Sequence, residues 1–171
     1  MFVAIPTAIP VEPFTRRFGK REIGIFGSLC GAGSWFLLSF MRTRSVWLYI
    51  IVNIIGFLGF SLFNLIMWAF ITDIIDDSEV KNGVREDATI YGAYSFARKI
   101  GQALAGGLGG FALGFIGFDS SLQVQTEKVA NGIYTIATLI PAILYIIVGA
   151  SLLFLYPLNK KKVRENTEIL K

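Results

Sequence analysis

The chain has 171 residues and is 54% hydrophobic, only 16% charged, with a formal net charge of +4. Ordinary soluble domains carry about 25% charged residues, so the composition excludes a typical soluble protein and predicts a membrane protein. One cysteine, Cys30, excludes an intrachain disulfide framework, and the lack of histidine excludes His-based metal sites and catalytic triads.

The opening segment 1–13 is apolar, but it contains three prolines and no basic region. This pattern is not typical of a cleavable secretory signal. Residues 1–9 are instead typical of the end of a membrane helix that the prolines cut short. We therefore expect the chain to begin partway through a larger protein.

Four apolar runs follow, each long enough to cross a bilayer, which needs about 20 mainly apolar residues. They cover residues 23–40, 46–71, 88–118 and 133–156. No alternating ten-residue pattern indicates barrel strands, and lipid offers unpaired backbone groups no partner. The sequence therefore predicts an all-α membrane protein with four full transmembrane helices and the end of a fifth.

Basic residues are distributed unevenly between the two sides of these helices. Eleven lie in the segments 14–21, 72–87 and 158–171, whereas three lie in 41–45 and 119–132. The positive-inside rule assigns the first set to the cytoplasm. We expect a multi-pass protein of the plasma membrane with a cytoplasmic C-terminus, whose basic tail either binds anionic lipid or only anchors the topology.

The second apolar run contains Asn64 and Trp68, which are four residues apart and share a helix face. An aromatic ring beside an amide is a common arrangement for holding a sugar, by stacking and hydrogen bonding. Helix-to-helix hydrogen bonding is the alternative for Asn64 and for Asn53, because a buried amide needs partners. Further candidates of this kind on the third run are Tyr91, Tyr94 and Gln102.

The stretch 72–87 then holds six of the twelve acidic residues. Asp73, Asp76 and Glu79 recur every three residues, so they fall near one face if the helix continues, and Arg85 can pair with them. A solvated loop is the alternative interpretation. No nucleophile, metal ligand set or dry cleft accompanies these carboxylates, so we do not expect an enzyme.

The third apolar run contains Lys99 eleven positions after its start, about 16 Å along a helix. A lysine near the bilayer centre costs about 2.5–3.5 kcal/mol on insertion scales and usually faces a cavity or a partner. Alternatively, the helix starts in the cytoplasm and Lys99 snorkels to the interface. Arg98, whose side chain points about 100° away, is expected at the interface.

Glycines dominate the rest of this run, with Gly106, Gly110 and Gly114 spaced four apart. Small residues at this spacing let a neighbouring helix approach closely. Such contacts serve static packing and sliding helices equally well. The glycines do not form a nucleotide loop, because no strand precedes them and no P-loop Lys-Ser/Thr pair follows.

Three stretches together resemble one known family, and they cover the chain nearly from end to end. Asp73-x-x-Asp76-x-x-Glu79, followed by Arg85 and Lys99, resembles the connector between helices ten and eleven of the glycoside–pentoside–hexuronide:cation symporters. This is the melibiose-carrier branch of the major facilitator superfamily. Residues 17–21, RFGKR, resemble the superfamily's basic loop between helices eight and nine, and residues 114–141 with the last helix resemble the family's C-terminal end.

The resemblance implies a partial major facilitator fold. Residues 1–157 would form the end of helix eight and helices nine to twelve of a twelve-helix carrier, and residues 158–171 a cytoplasmic basic tail. It also implies co-transport of a sugar with H⁺, Na⁺ or Li⁺ by alternating access. The implied partners are the sugar, membrane lipid and a missing N-terminal six-helix bundle that binds the cation; no cofactor, metal or nucleic acid is implied.

The resemblance also implies roles for individual residues. Lys99 matches the helix-eleven lysine near the sugar and cation cavity, and Asn64 and Trp68 are further cavity candidates. Asn64 stands where melibiose-type carriers have a tryptophan, with Trp68 one turn later. The charges matched to the lock between the two bundles are Asp73, Asp76, Glu79 and Arg85, and the residues matched to the basic loop are Arg17, Gly19, Lys20 and Arg21. The alternatives are an inert truncated membrane fragment and a lipid or drug carrier of the same fold.

Overall fold

The computed structural model describes residues 15, 17–43 and 45–171, and all regular secondary structure in this part is helical. The segment 1–9, expected to be the end of a helix, lies outside the described residues, as do Arg16 and Arg44. The helices are α1 (Lys20–Met41), α2 (Val46–Asn82), α3 (Asp87–Phe115), α4 (Glu127–Phe154) and α5 (Lys160–Ile169). The predicted all-α fold is therefore confirmed.

Three described helices, α1, α2 and α4, are long and apolar enough to cross a membrane by length and composition. The helix predicted for the third apolar run is present as α3, which has 29 residues. Arg98 and Lys99 interrupt its apolar sequence near the middle. The count of four full transmembrane helices therefore stays a prediction.

Helix α2 continues eleven residues past the predicted boundary at residue 71. It begins after Ser45, whose side chain accepts a hydrogen bond from the Leu48 amide, and it ends at Gly83 in the left-handed region at φ 71°. Its 37 residues span about 55 Å at 1.5 Å per residue. Since the hydrocarbon core is about 30 Å thick, the charges after Ile71 lie on a helical extension rather than in a loop.

Helix α1 lies between α2 and α4 and packs against both. Small residues make this packing close, because a Cβ atom added at Gly59 would lie 2.5 Å from the Gly27 carbonyl oxygen. Aromatic rings also bridge α2 and α4, including Tyr49–Tyr134 at 5.8 Å and Phe63–Tyr145 at 6.3 Å between ring centroids. The buried core follows these contacts and consists of two clusters, Trp35, Leu38, Val52 and Ala142, and Ile23, Ile66 and Phe70.

Helix α3 has no buried residue. An added Cβ atom at Gly106, Gly110 or Gly114 would have no neighbour within 4 Å among the described residues. The close helix approach predicted from their spacing is therefore not formed inside this part of the chain. α3 contacts α2 through its first turns.

Helix α5 falls inside the predicted basic tail and packs on the extension of α2. The Asn166 side-chain amide, which is 1% exposed, donates a hydrogen bond to the Asp77 carboxylate at 2.9 Å. Asn159 caps the helix by accepting from the Lys162 amide. The end of the molecule that holds α5, Lys20 and Asp73 carries most of the described charges, and we call it the charged end.

Candidate functional site

Three aromatic residues bring α2 and α3 together. Trp68 on α2 lies 6.3 Å from Tyr91 and 5.7 Å from Tyr94 on α3, measured between ring centroids. Trp68 is 52% exposed, so one side of its ring remains open. The sequence marked all three residues as candidates, and the structure places them in one cluster.

The short connector after α2 and the contact of Trp68 with the first turns of α3 indicate that the two helices run in opposite directions, with this cluster between them. Moving away from the charged end, Asn64 lies one turn beyond Trp68 and Arg98 lies one turn beyond Tyr94. These two side chains are therefore at about the same level, about 6 Å above the aromatic rings. Residues 95–111 of α3 are all exposed, so no described residue covers α3 from this level upward. We call Asn64, Trp68, Tyr91, Tyr94 and Arg98 the α2–α3 cleft.

The polar atoms of the cleft are available to a ligand. Asn64 is exposed, and its amide nitrogen donates to the Phe60 carbonyl of its own helix at 3.0 Å. Its amide oxygen has no partner among the residues that the structure describes. Asn53 has a different role, because its oxygen accepts from the Trp35 indole at 3.3 Å and links α2 to α1. The alternative of helix-to-helix bonding therefore holds for Asn53 and not for Asn64.

Lys99 lies beside the cleft rather than in it. Helix geometry places its side chain about 80° from Tyr91 and about 140° from Tyr94. Arg98, expected at the membrane interface, lies within about 40° of both tyrosines. Lys99 is exposed and has no carboxylate partner within the described part of the chain. Its assigned place in the sugar and cation cavity stays a prediction.

Arg85 joins the turn between α2 and α3 to three carboxylates. Its Nη1 donates to Asp76 at 3.0 Å and to Glu79 at 2.7 Å, and its Nε lies 2.9 Å from Asp87. The hydrogen bonds to Glu79 and Asp76 raise the pKa of Arg85 above its ordinary value. This cluster fixes the connector of α2 and α3 at the charged end, and it unites three of the four predicted lock charges.

Asp73, the fourth predicted lock charge, has a different partner. It is 4% exposed and accepts from the Lys20 ammonium at 2.6 Å, so it faces α1 and not Arg85. Lys20 belongs to the predicted basic loop. The two groups that the sequence treated separately therefore meet in a part-buried ion pair between α1 and α2.

The rest of the basic loop binds backbone carbonyls of this chain. The Arg21 Nε donates to the Leu152 carbonyl at 3.0 Å, and its Nη2 donates to the Leu153 carbonyl, near the C-terminus of α4. Such carbonyls lack intrahelical donors and carry partial negative charge. The Arg17 carbonyl accepts from Lys160 at 3.1 Å. Gly19, at φ 101°, precedes the first turn of α1 in a conformation that favours glycine.

No group of three or more Asp, Glu or Cys side chains in the described ranges is arranged to hold a metal ion. Sequence reasoning missed two functional features. One is the alignment of Arg98 with Tyr91 and Tyr94, which the spacing of three and four residues could have revealed. The other is the Lys20–Asp73 pair, whose separation of 53 residues leaves no local signal.

Comparisons with known proteins point to transport. The family described as MFS/sugar transport protein matches residues 1–160. An uncharacterized symporter, YjmB, of Bacillus subtilis is 36% identical over 147 residues, which cover 86% of this chain and 32% of that protein. The glucuronide carrier protein homolog of Escherichia coli is 30% identical over 164 residues, covering 95% and 35%. A putative sulfoquinovose importer of Salmonella typhimurium is 33% identical over 152 residues, covering 89% and 32%.

The chain thus spans about a third of the length of these relatives. The family match includes the four helices α1 to α4, and α5 begins at its last residue. Together with the long apolar helices, these similarities show a multi-pass membrane protein related to carriers rather than to enzymes.

Proposed function

This chain belongs to the MFS/sugar transport protein family, and from that premise we propose that it acts as the C-terminal part of a cation-coupled sugar symporter. The coupling cation is H⁺, Na⁺ or Li⁺. This chain corresponds to about a third of its relatives, and the N-terminal bundle of a longer carrier supplies the rest of the pathway. Alternating access moves the sugar across the plasma membrane.

The α2–α3 cleft is the observation that carries this proposal. Trp68, half exposed above Tyr91 and Tyr94, offers a ring face for the apolar CH surface of a sugar. Asn64, one turn higher, offers an amide oxygen without a partner among the described residues. A ring face combined with hydrogen-bonding groups that fix orientation is the usual composition of a small-molecule site.

The charges at the charged end fit the lock of such a carrier. Asp76, Glu79 and Arg85 lie on an exposed surface at the α2–α3 connector, where an opposing bundle can exchange partners with them. Asp73 and Lys20 hold α1 and α2 together beneath that surface. We place this end, including α5, in the cytoplasm.

The names of two relatives favour one class of sugar as the substrate. A glucuronide carries a carboxylate and sulfoquinovose carries a sulfonate, and these compounds appear in the names of two relatives. We therefore favour an acidic sugar, within the hexuronide branch of the family's substrates, over a neutral glycoside or pentoside.

Uptake of labelled sugar tests this function. The chain is expressed with the segment that its gene locus encodes upstream of Met1, and cation-driven uptake is compared for wild type, Trp68→Ala and the control Trp47→Ala. Trp47 is also on α2 but lies at its other end and is 77% exposed. We expect Trp68→Ala to reduce uptake about tenfold, corresponding to about 1.4 kcal/mol, and Trp47→Ala to retain it.

Two results would overturn the proposed function. One is a wild-type protein that reaches the membrane but transports neither acidic nor neutral sugars under any imposed cation gradient. The other is a locus that encodes no further transmembrane helices, which would favour an inert fragment.

A further inference from the structure

We propose that Arg98 binds the acidic group of the transported sugar and sets the preference of the carrier for acidic over neutral sugars. This inference rests on the proposed function and adds a specificity-determining residue to its cleft. It also changes the expected position of Arg98, from the membrane interface to the depth of the site.

The ring contacts of Trp68 give the depth of Arg98. Charged residues are frequent from Asp73 onward, so the edge of the hydrocarbon lies near that residue. Trp68 is five residues further in, about 7.5 Å. Tyr94 contacts it, and Arg98 is one more turn inward, about 6 Å. Arg98 therefore lies about 13 Å from the edge of a core about 30 Å thick, close to the midplane.

The direction of the side chain agrees with this depth. Tyr91, Tyr94 and Arg98 follow one another by three and four residues, which places them on one face of α3. That face is turned toward Trp68, as the two ring contacts show. Arg98 therefore projects to the cleft side of α3, at the level of Asn64.

The charge of Arg98 has no counterion in the described part of the chain. Acidic residues of the long helices occur only in the first turns and on the extension of α2 beyond Ile71, and Asp73 there is paired with Lys20. Arg98 and Lys99 are consequently two cations at membrane depth with no carboxylate near them. An intramembrane cation normally needs a partner or a water-filled cavity.

A sugar acid is a suitable partner for one of these cations. The planar guanidinium of arginine donates two parallel hydrogen bonds to a carboxylate or a sulfonate, whereas a lysine ammonium acts as a point charge. With the sugar ring on Trp68, an acidic substituent reaches the next turn, where Arg98 and Asn64 lie. The aromatic floor then holds the ring and Arg98 selects the charge.

The test compares uptake of glucuronic acid with uptake of glucose in the carrier assembled with its upstream segment. The variants are Arg98→Gln, which removes the charge, and Arg98→Lys, which keeps the charge but loses the two parallel hydrogen-bond donors of the guanidinium group. Lys128→Gln is the matched control, because it removes one exposed cation at the start of α4, outside the cleft.

We expect Arg98→Gln to raise the KM for glucuronic acid by about 10- to 100-fold, the range for a hydrogen bond to a charged group, with a much smaller change for glucose. Arg98→Lys should give an intermediate preference, and Lys128→Gln should leave the preference unchanged. An unchanged ratio of acid to neutral uptake in Arg98→Gln overturns the inference, as does an equal loss for both sugars. Absence of all sugar uptake in the wild type would instead overturn the proposed function.

Discussion

Helices α1 and α3 are both rich in glycine, yet three of the four glycines of α1 have close neighbours and those of α3 have none. On α1, Gly27 lies against the backbone of Gly59, and Gly24 lies against the Phe70 ring. On α3, seven glycines have open space where a side chain would start. Small residues permit close approach between helices, but they do not supply the partner.

The difference separates the helices that this chain packs by itself from the helix that it leaves unpacked. The unit of α1, α2, α4 and α5 has its own buried core, a part-buried ion pair and bridging aromatic rings. α3 is held near its first turns by Tyr91, Tyr94 and the Arg85 cluster. Under the proposed function, the exposed glycine face of α3 packs on helices of the longer carrier that are not part of this chain.

The largest effect is expected when the same substitution is made in both regions. Lys20→Met leaves the buried Asp73 carboxylate without its partner and should lower the free energy of unfolding by about 3 kcal/mol. Lys99→Met, on the exposed helix α3, removes no ion pair of the described residues and should not destabilise the chain. Chemical unfolding in detergent measures both. Equal losses would show that α3 is packed within this chain.

Glycine-to-alanine substitutions in the two regions should change stability by smaller amounts and in opposite directions. Gly59→Ala places a Cβ atom 2.5 Å from the Gly27 carbonyl oxygen, so we expect a loss of about 1–3 kcal/mol from overpacking. Gly107→Ala meets nothing within 4 Å, and alanine favours a helix by up to about 1 kcal/mol over glycine. The midpoint temperature of thermal unfolding of the isolated chain should therefore fall in Gly59→Ala and stay the same or rise in Gly107→Ala. A drop for Gly107→Ala would contradict the open face of α3.

A still smaller effect on stability is expected at the edge of the packed unit. Asn166→Ala removes the buried hydrogen bond to Asp77 and should cost about 1–2 kcal/mol. Hydrogen exchange of α5 amides should accelerate, while that of α1 should not. Thr167→Ala is the control, since its hydroxyl bonds only to the Val163 carbonyl of its own helix. Unaltered exchange in Asn166→Ala would show that α5 is not held through this bond.

A fourth comparison sharpens the role of the connector. Arg85→Gln removes the cation shared by Asp76, Glu79 and Asp87, all of which are partly exposed. Exposed ion pairs contribute little to stability, so the free energy of unfolding should change little. In the carrier assembled with its N-terminal bundle, however, loss of this predicted lock charge should change the rate of sugar uptake. Parallel measurements of unfolding and uptake separate the two roles, and a large loss of stability would contradict this assignment.

Hydrophobicity predicted the fold well because transmembrane helices are defined by it. The boundaries of α1, α3 and α4 differ from the predicted ones by one to six residues. The extension of α2 beyond Ile71 was left open, because Asp, Glu and Lys are compatible with both helix and loop. α5 was missed, although Asn159 gave a helix-capping signal.

The site was predicted less completely, since its contacts cross between helices. Asn64, Trp68, Tyr91 and Tyr94 were identified from their chemistry and spacing. Sequence could not show that Trp68 contacts the tyrosines or that Asp73 faces Lys20, because helix rotation and tilt decide such contacts. The interfacial position expected for Arg98 stays a prediction, because its depth depends on how far α2 extends beyond the bilayer.

The length of α2 has a mechanical consequence. A continuous helix of about 55 Å, without a proline or a break between residues 46 and 82, transmits a tilt along its whole length. If it pivots by 10° about its centre, its far tip sweeps roughly 5 Å, close to one helical turn. A small tilt caused by a solute against Trp68 would therefore become a displacement at Glu79 large enough to exchange its neighbours.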